Sequence, residues 1–271
     1  MDGNKGGIKM GEFKHKHSLG QNFLKDKNVL IKIIDSVDVQ EDDLIVEVGP
    51  GQGALTKYLK LFRANLRCFE VDTRVKKYLD SFEDEKTKVI YNDFMKVDLE
   101  EELKDIDYKD LYVIANLPYY ITTPIIEKMI SSPLDVKAMV LMVQNEVADR
   151  LSAKTGSKDY GAITVFLNYY YNVEKLFFVH RSAFDPAPNV DSAVIKLSKK
   201  DRELELIDKD LFFKLVQDSF RMKRKNIRNN LKSYDLDKVS KVLSSYGLDL
   251  TVRAESISLQ CFVDMANELS K

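Results

Sequence analysis

The chain has 271 residues, 44% of them hydrophobic and 31% charged, with a formal net charge of −1. This composition describes a soluble globular protein of one large domain, or a large and a small one. It holds no apolar run of the roughly 18 residues that a membrane span needs, and its charge balance leaves nucleic-acid binding to be argued from local basic clusters.

Residues 1–17 carry Lys5, Lys9, Lys14 and Lys16 without periodicity, and read as a flexible basic arm, either a disordered tail or a segment that orders on a ligand or on RNA. The arm has no apolar core, so it is no secretory signal. The two cysteines, Cys68 and Cys261, have no metal-type spacing, which points to a reducing cytoplasm and no structural zinc. Residues 18–24, SLGQNFL, form a compact turn. Asp26 then caps a helix over 27–37, with Val29, Ile33, Ile34 and Val37 on one face.

Residues 44–56, LIVEVGPGQGALT, organise the rest of the chain. An apolar strand broken only by Glu47 runs into Gly49, Gly51 and Gly53, and a helix follows from Ala54 to 62. Strand, glycine turn and helix start are the parts of a nucleotide-cradling loop, in which glycines let a ligand approach the backbone. The G-x-G-x-G spacing is neither the dinucleotide fingerprint nor a P-loop. It resembles the S-adenosylmethionine loop of class I methyltransferases.

A second strand over 67–72 carries Glu70, about 20 residues past the first glycine, where such folds place a carboxylate on ribose hydroxyls. Thr73 caps a helix striped by Val75, Tyr78, Leu79 and Phe82. A third strand over 88–93 ends at Asp93, an acceptor for an adenine amino group. An acidic helix or loop spans 99–107, and a fourth strand over 111–115 delivers Asn116-Leu117-Pro118-Tyr119 at its carboxyl end. Chemistry sits at strand carboxyl ends in such sheets.

This tetrapeptide resembles the N/D-P-P-Y/F motif of methyltransferases that act on exocyclic amines. Adenine N6 is a poor nucleophile because its lone pair is delocalised. Acceptors on its N–H bonds, from the Asn116 side chain and a nearby backbone carbonyl, orient it and stabilise the charge it gains. Pro118 stiffens the turn and Tyr119 stacks on the base. No metal or general base is demanded.

Thr123 and Pro124 open the next helix as cap and first residue. A fifth strand spans 137–143, a helix 145–151, a Gly/Ser/Lys loop 153–161, and two further strands 162–171 and 190–197. Between these lies Phe184-Asp185-Pro186-Ala187-Pro188, a rigid loop that presents Phe184 as the second face of a base clamp. Alternating strands and helices make this an α/β fold with a mostly parallel, doubly wound sheet. A charged linker over 198–208 leads to a small helical domain over 208–271. There FRMKRKNIRNNL, residues 220–231, reads as a basic helix whose Arg221, Arg224, Lys225 and Arg228 form one stripe toward RNA phosphates, with Lys223 off it.

HSLGQNFL, VEVGPGQGALT, FEVD, YNDF, NLPYYITTPI, GSKDYG, FDPAPNVDSAV and FRMKRKNIRNNL stand in this order. They resemble the KsgA family of ribosomal RNA small-subunit adenine N6-dimethyltransferases over nearly the whole chain. The resemblance implies a Rossmann-like, class I S-adenosylmethionine-dependent domain over 18–200 and an RNA- or ribosome-binding helical domain over 208–271. It maps cofactor contacts to Asn22, Leu24, Gly49, Gly51, Glu70, Asp93 and Asn116, and the target-adenine site to Asn116, Leu117, Pro118, Tyr119 and Phe184.

By the same resemblance, the donor is S-adenosylmethionine and the product S-adenosylhomocysteine, with no metal. The partner is the small ribosomal subunit with its 16S rRNA, met by a cytoplasmic monomer away from any membrane. Tyr120 stands where many relatives have Asn. Two alternatives share the fold: an Erm-type large-subunit rRNA methyltransferase, and a non-catalytic RNA-binding or transcription factor. VDSAV and the basic segment favour the first reading over the Erm type, and intact Glu70, Asp93 and Asn116 favour a working enzyme.

Overall fold

A computed structural model describes residues 22–201 and 204–271. The basic arm over 1–17 and the first part of the turn, 18–21, lie outside the described residues. In chain order the elements are β1 (Phe23–Leu24), α1 (Lys27–Ile34), β2 (Leu44–Val48), α2 (Thr56–Leu59), β3 (Asn65–Phe69), α3 (Lys76–Leu79), β4 (Thr87–Ile90), α4 (Leu99–Leu103), β5 (Leu111–Asn116), α5 (Thr122–Ser131), β6 (Val136–Gln144), α6 (Asn145–Leu151), α7 (Ala162–Tyr170), β7 (Tyr171–Val179), β8 (Phe184–Asp185) and β9 (Ser192–Lys199). Four helices follow: α8 (Lys209–Phe220), α9 (Ile227–Asn230), α10 (Leu236–Ser245) and α11 (Leu259–Leu269).

Seven strands form one sheet in the order β4-β3-β2-β5-β6-β9-β7. The five from β4 to β6 are parallel, and β9 runs against both of its neighbours. The central strands are apolar on both faces because both are covered. Leu44, Val46 and Val48 of β2 pack into one core with Val113 and Ala115 of β5, while Ile45 and Ile114 pack into the other with Leu30 and Ile33 of α1. Glu47 shares the face of Ile45 and is the polar exception in β2.

The C-terminal helices gather a third core around Phe212, Leu215, Leu243 and Phe262. Tyr160, Val165 and Tyr169 belong to it as well, so α7 packs against these helices and ties them to the sheet.

Several expected elements differ. Residues 162–170 are helix, not strand, and the strand comes next, over Tyr171–Val179. Helix α7 is wedged between two cores: Leu167 faces the sheet, Val165 and Tyr169 face the C-terminal helices. A helix apolar on two sides loses the 3.6-residue signature that separates it from a strand. Thr73 does not cap; Asp72 does, accepting from the Arg74 N–H at 3.1 Å. Helix α5 starts at Thr122, not at a Thr123 cap, because the Thr122 hydroxyl reaches back to the Pro118 carbonyl at 3.2 Å.

The basic segment is likewise not one helix. α8 stops at Phe220, and α9 begins only at Ile227. Asn226 caps α9, and the Asn230 amide donates to the Ser219 carbonyl at 2.6 Å, pinning the loop between them. Ile227 and Leu231 are drawn into the core. Arg221, Arg224 and Lys225 therefore occupy a turn and Arg228 a short helix, so the stripe is corrected to an exposed basic loop in which Lys223 is as available as its neighbours.

Candidate active site

The carboxyl ends of β2, β3, β4 and β5 open into a cavity of about 250 Å³. All eleven residues expected to hold cofactor or target base line it: Asn22, Leu24, Gly49, Gly51, Glu70, Asp93, Asn116, Leu117, Pro118, Tyr119 and Phe184. They come from separate stretches of chain. The parallel strands bring together the glycine loop, both acids and the Asn116–Tyr119 turn, and the β1–β8 pair adds Asn22, Leu24 and Phe184. In that pair Leu24 stands opposite Phe184 and Phe23 opposite Asp185, which sets Asn22 and Phe184 beside the end of β5.

The glycine loop is fixed by Glu70. One carboxylate oxygen accepts from the Gly51 N–H at 3.0 Å, the other from the Asp72 N–H at 2.8 Å. Burial raises the Glu70 pKa above the ordinary carboxylate value, and these two N–H bonds pull it back down. Gly51 has φ +58°, and a Cβ there would come within 2.8 Å of the Phe23 ring. The left-handed backbone and the Phe23 ring together favour glycine at this cavity-lining position. Asp93 is half-buried beyond the end of β4, with one oxygen accepting from the Met95 N–H at 3.0 Å.

Asn116 is the last residue of β5, where the Leu117 N–H extends the ladder to the Met142 carbonyl at 3.1 Å. Its side-chain amide donates to the Asn22 carbonyl over a long 3.5 Å, and among the described residues nothing donates to its oxygen. The Pro118 carbonyl is occupied by the Ile121 N–H and the Thr122 hydroxyl. The Leu117 carbonyl has no such partner among the described residues. Two acceptors, one from a side chain and one from the backbone, thus stand together at the turn. The Tyr119 hydroxyl shares a 2.8 Å hydrogen bond with the Ser192 hydroxyl, and burial raises its pKa, so the phenol stays neutral. Phe184 is only 2% exposed and is packed into the core as well as lining the cavity.

Glu47 also lines the cavity and was not expected there. It is buried in β2, where its Oε2 accepts from the Thr56 hydroxyl at 2.7 Å and from the Cys68 thiol at 3.4 Å. Burial pushes its pKa up to about 7 against the pull of those two bonds. Its one sequence signal was an acid interrupting an apolar run. Ser192, the partner of Tyr119, lies in the VDSAV stretch, which gave no sign of this contact. The basic residues Arg221, Lys223, Arg224, Lys225 and Arg228 lie outside this cavity. All are exposed, and among the described residues none is within ion-pairing distance of a carboxylate.

The family model of ribosomal RNA adenine dimethylase matches residues 12–271. The chain is 41% identical to ribosomal RNA small subunit methyltransferase A of Geobacillus kaustophilus, over 95% of this chain and 92% of that one. It is 40% identical to the Streptococcus pyogenes protein of the same name, over 96% and 93%. Among solved structures, a dimethyladenosine transferase from Plasmodium falciparum superposes with a TM-score of 0.75 at 26% identity, over 90% of this chain and 95% of that one. The 23S rRNA methyltransferase ErmE superposes with a TM-score of 0.72 at 23% identity, over 92% and 100%, a likeness of fold alone. The α/β fold is that of class I methyltransferases, with a helical C-terminal part. The chain belongs to the ribosomal RNA adenine dimethylase family.

Proposed function

We propose that this protein is an S-adenosylmethionine-dependent rRNA adenine N6,N6-dimethyltransferase. In this reading it converts two adjacent adenines near the 3′ end of 16S rRNA, within the small ribosomal subunit, during subunit biogenesis. The observation that carries the reading is the pair of open acceptors, Asn116 Oδ1 and the Leu117 carbonyl, at a strand end that shares one cavity with Glu70 and Asp93.

The donor set suits an adenosyl cofactor. Glu70 keeps a lone pair on each oxygen for a ribose diol, Asp93 stands ready for an adenine amine, and Gly51 holds its backbone at the cavity wall. When bound, S-adenosylmethionine supplies a methyl group activated by the sulfonium charge. Asn116 and the Leu117 carbonyl then accept from the two N–H bonds of the target amine, turning its lone pair toward the methyl. They also stabilise the positive charge that grows on nitrogen as the bond forms, a preorganised electrostatic contribution. Tyr119 and Phe184 hold the extruded base in its plane, and the released proton leaves to water. The exposed basic loop supports contact with rRNA phosphates, which position the substrate without reading sequence.

The test is transfer of labelled methyl to isolated under-methylated ribosomal subunits. Label on the small subunit and not on the large is expected. Label on the large subunit would favour an Erm-type activity, and binding without transfer would favour a non-catalytic factor.

A further inference from the structure

The turn after β5 carries two tyrosines in succession. The Ile121 N–H closes it on the Pro118 carbonyl at 3.2 Å, so Tyr119 and Tyr120 occupy its two central positions. Their rings diverge. Tyr119 turns toward β9, where its hydroxyl meets Ser192. Tyr120 makes no such bond and lines the cavity together with Asp93 and Glu70, whose carboxylates act on its phenol. Burial first, and then those two charges, raise its pKa above the ordinary tyrosine value, so it remains a neutral donor.

Tyr120 lines the cavity and is nevertheless 56% exposed, and it makes no hydrogen bond among the described residues. Val71, 54% exposed, and Met95, 37% exposed, line the same cavity. Both follow the acids closely: Val71 comes directly after Glu70, and Met95 two residues after Asp93. Three large apolar side chains left in water around one opening mark a surface built to be covered.

We propose that Tyr120 forms the outer wall of the cofactor half of the cavity. Its flat ring closes over the adenosyl group held by Glu70 and Asp93, and thereby sets how tightly cofactor and product are retained. The two neighbouring tyrosines then divide the site, Tyr119 serving the target base and Tyr120 the donor. This inference rests on the reading of the cavity as an S-adenosylmethionine site.

The experiment is calorimetric titration of the full chain with S-adenosylmethionine and with S-adenosylhomocysteine, without RNA, for wild type, Tyr120→Phe, Tyr120→Leu and Tyr120→Ala. Small-subunit affinity is measured in parallel. The ring contact predicts weakening of both ligands by about five- to twentyfold in Tyr120→Ala, a value within about twofold of wild type in Tyr120→Phe, and an intermediate loss in Tyr120→Leu. Subunit affinity stays level. Cofactor binding by Tyr120→Ala within about twofold of wild type would overturn the proposal. So would a loss confined to subunit affinity, which would give the ring to the RNA. A wild-type protein that binds neither ligand would sink the underlying cofactor reading, an outcome distinct from both.

Discussion

Asn116 ends β5 with its amide nitrogen turned to Asn22 and its oxygen left for a donor. Asn116→Ala is expected to lower single-turnover methyl transfer by about 10²–10³, the scale for removing one preorganised polar group from around a transition state. Subunit binding should persist, and near-normal transfer by this variant would remove Asn116 from the chemistry. Glu47 makes a separate statement about pH. Its pKa is raised in the fold, to about 7, so the fold favours its neutral form. Its contribution to stability is complete below the ordinary carboxylate value and is lost as pH rises through about 7. Denaturant unfolding across that range should show wild-type stability falling by an amount on the order of 3 kcal/mol, and Glu47→Gln should flatten the fall. An equal slope in both proteins would assign the pH dependence elsewhere. The eleven cavity residues were legible because each is tied to a short motif. Glu47 and Ser192 lie in quoted motifs but their contacts were not legible, because their partners, Cys68 on the neighbouring strand and Tyr119 in the turn after β5, are brought to them only by the fold.

At the scale of elements, both Gly51 and Gly53 pack against phenylalanine rings, but only Gly51 also lines the cavity. Gly51 faces the cavity, whereas at Gly53, with φ +84°, a Cβ would lie 2.3 Å from the Phe82 ring. Both alanine variants should lose about 1–3 kcal/mol of stability from left-handed strain and crowding. Only Gly51→Ala should also weaken cofactor binding directly. Thermal unfolding with and without cofactor measures this, and an equal ligand-induced shift in the two variants would contradict the distinction. The loop between α8 and α9 presents Arg224, and the start of α9 presents Arg228, with no carboxylate within ion-pairing distance of either among the described residues. Replacing both with alanine should make the salt dependence of subunit binding shallower by up to about two counterions, with cofactor affinity unaltered. Lys223→Ala should now behave like a single arginine variant, since no helical stripe excludes it. The central strands β2, β5 and β6 were readable from near-continuous apolar runs. Helix α7 and the break after Phe220 were not, because tertiary burial on two sides of α7 and the Asn230 bridge to Ser219 override local periodicity.

At the scale of the whole molecule, the carboxyl ends of the parallel strands gather the proposed donor pocket and the proposed base-handling turn into one cavity. The C-terminal helices, joined to the sheet through Tyr160, Val165 and Tyr169, carry the basic loop. This arrangement suits a large folded RNA that is gripped away from the reacting base. The most direct measurement is nucleoside analysis of small-subunit rRNA after reaction with purified protein and labelled S-adenosylmethionine, with the modified positions mapped. The expected product is N6,N6-dimethyladenosine at two neighbouring positions near the 3′ end of 16S rRNA. Label on another atom, on another nucleotide, on large-subunit rRNA, or on none would contradict it.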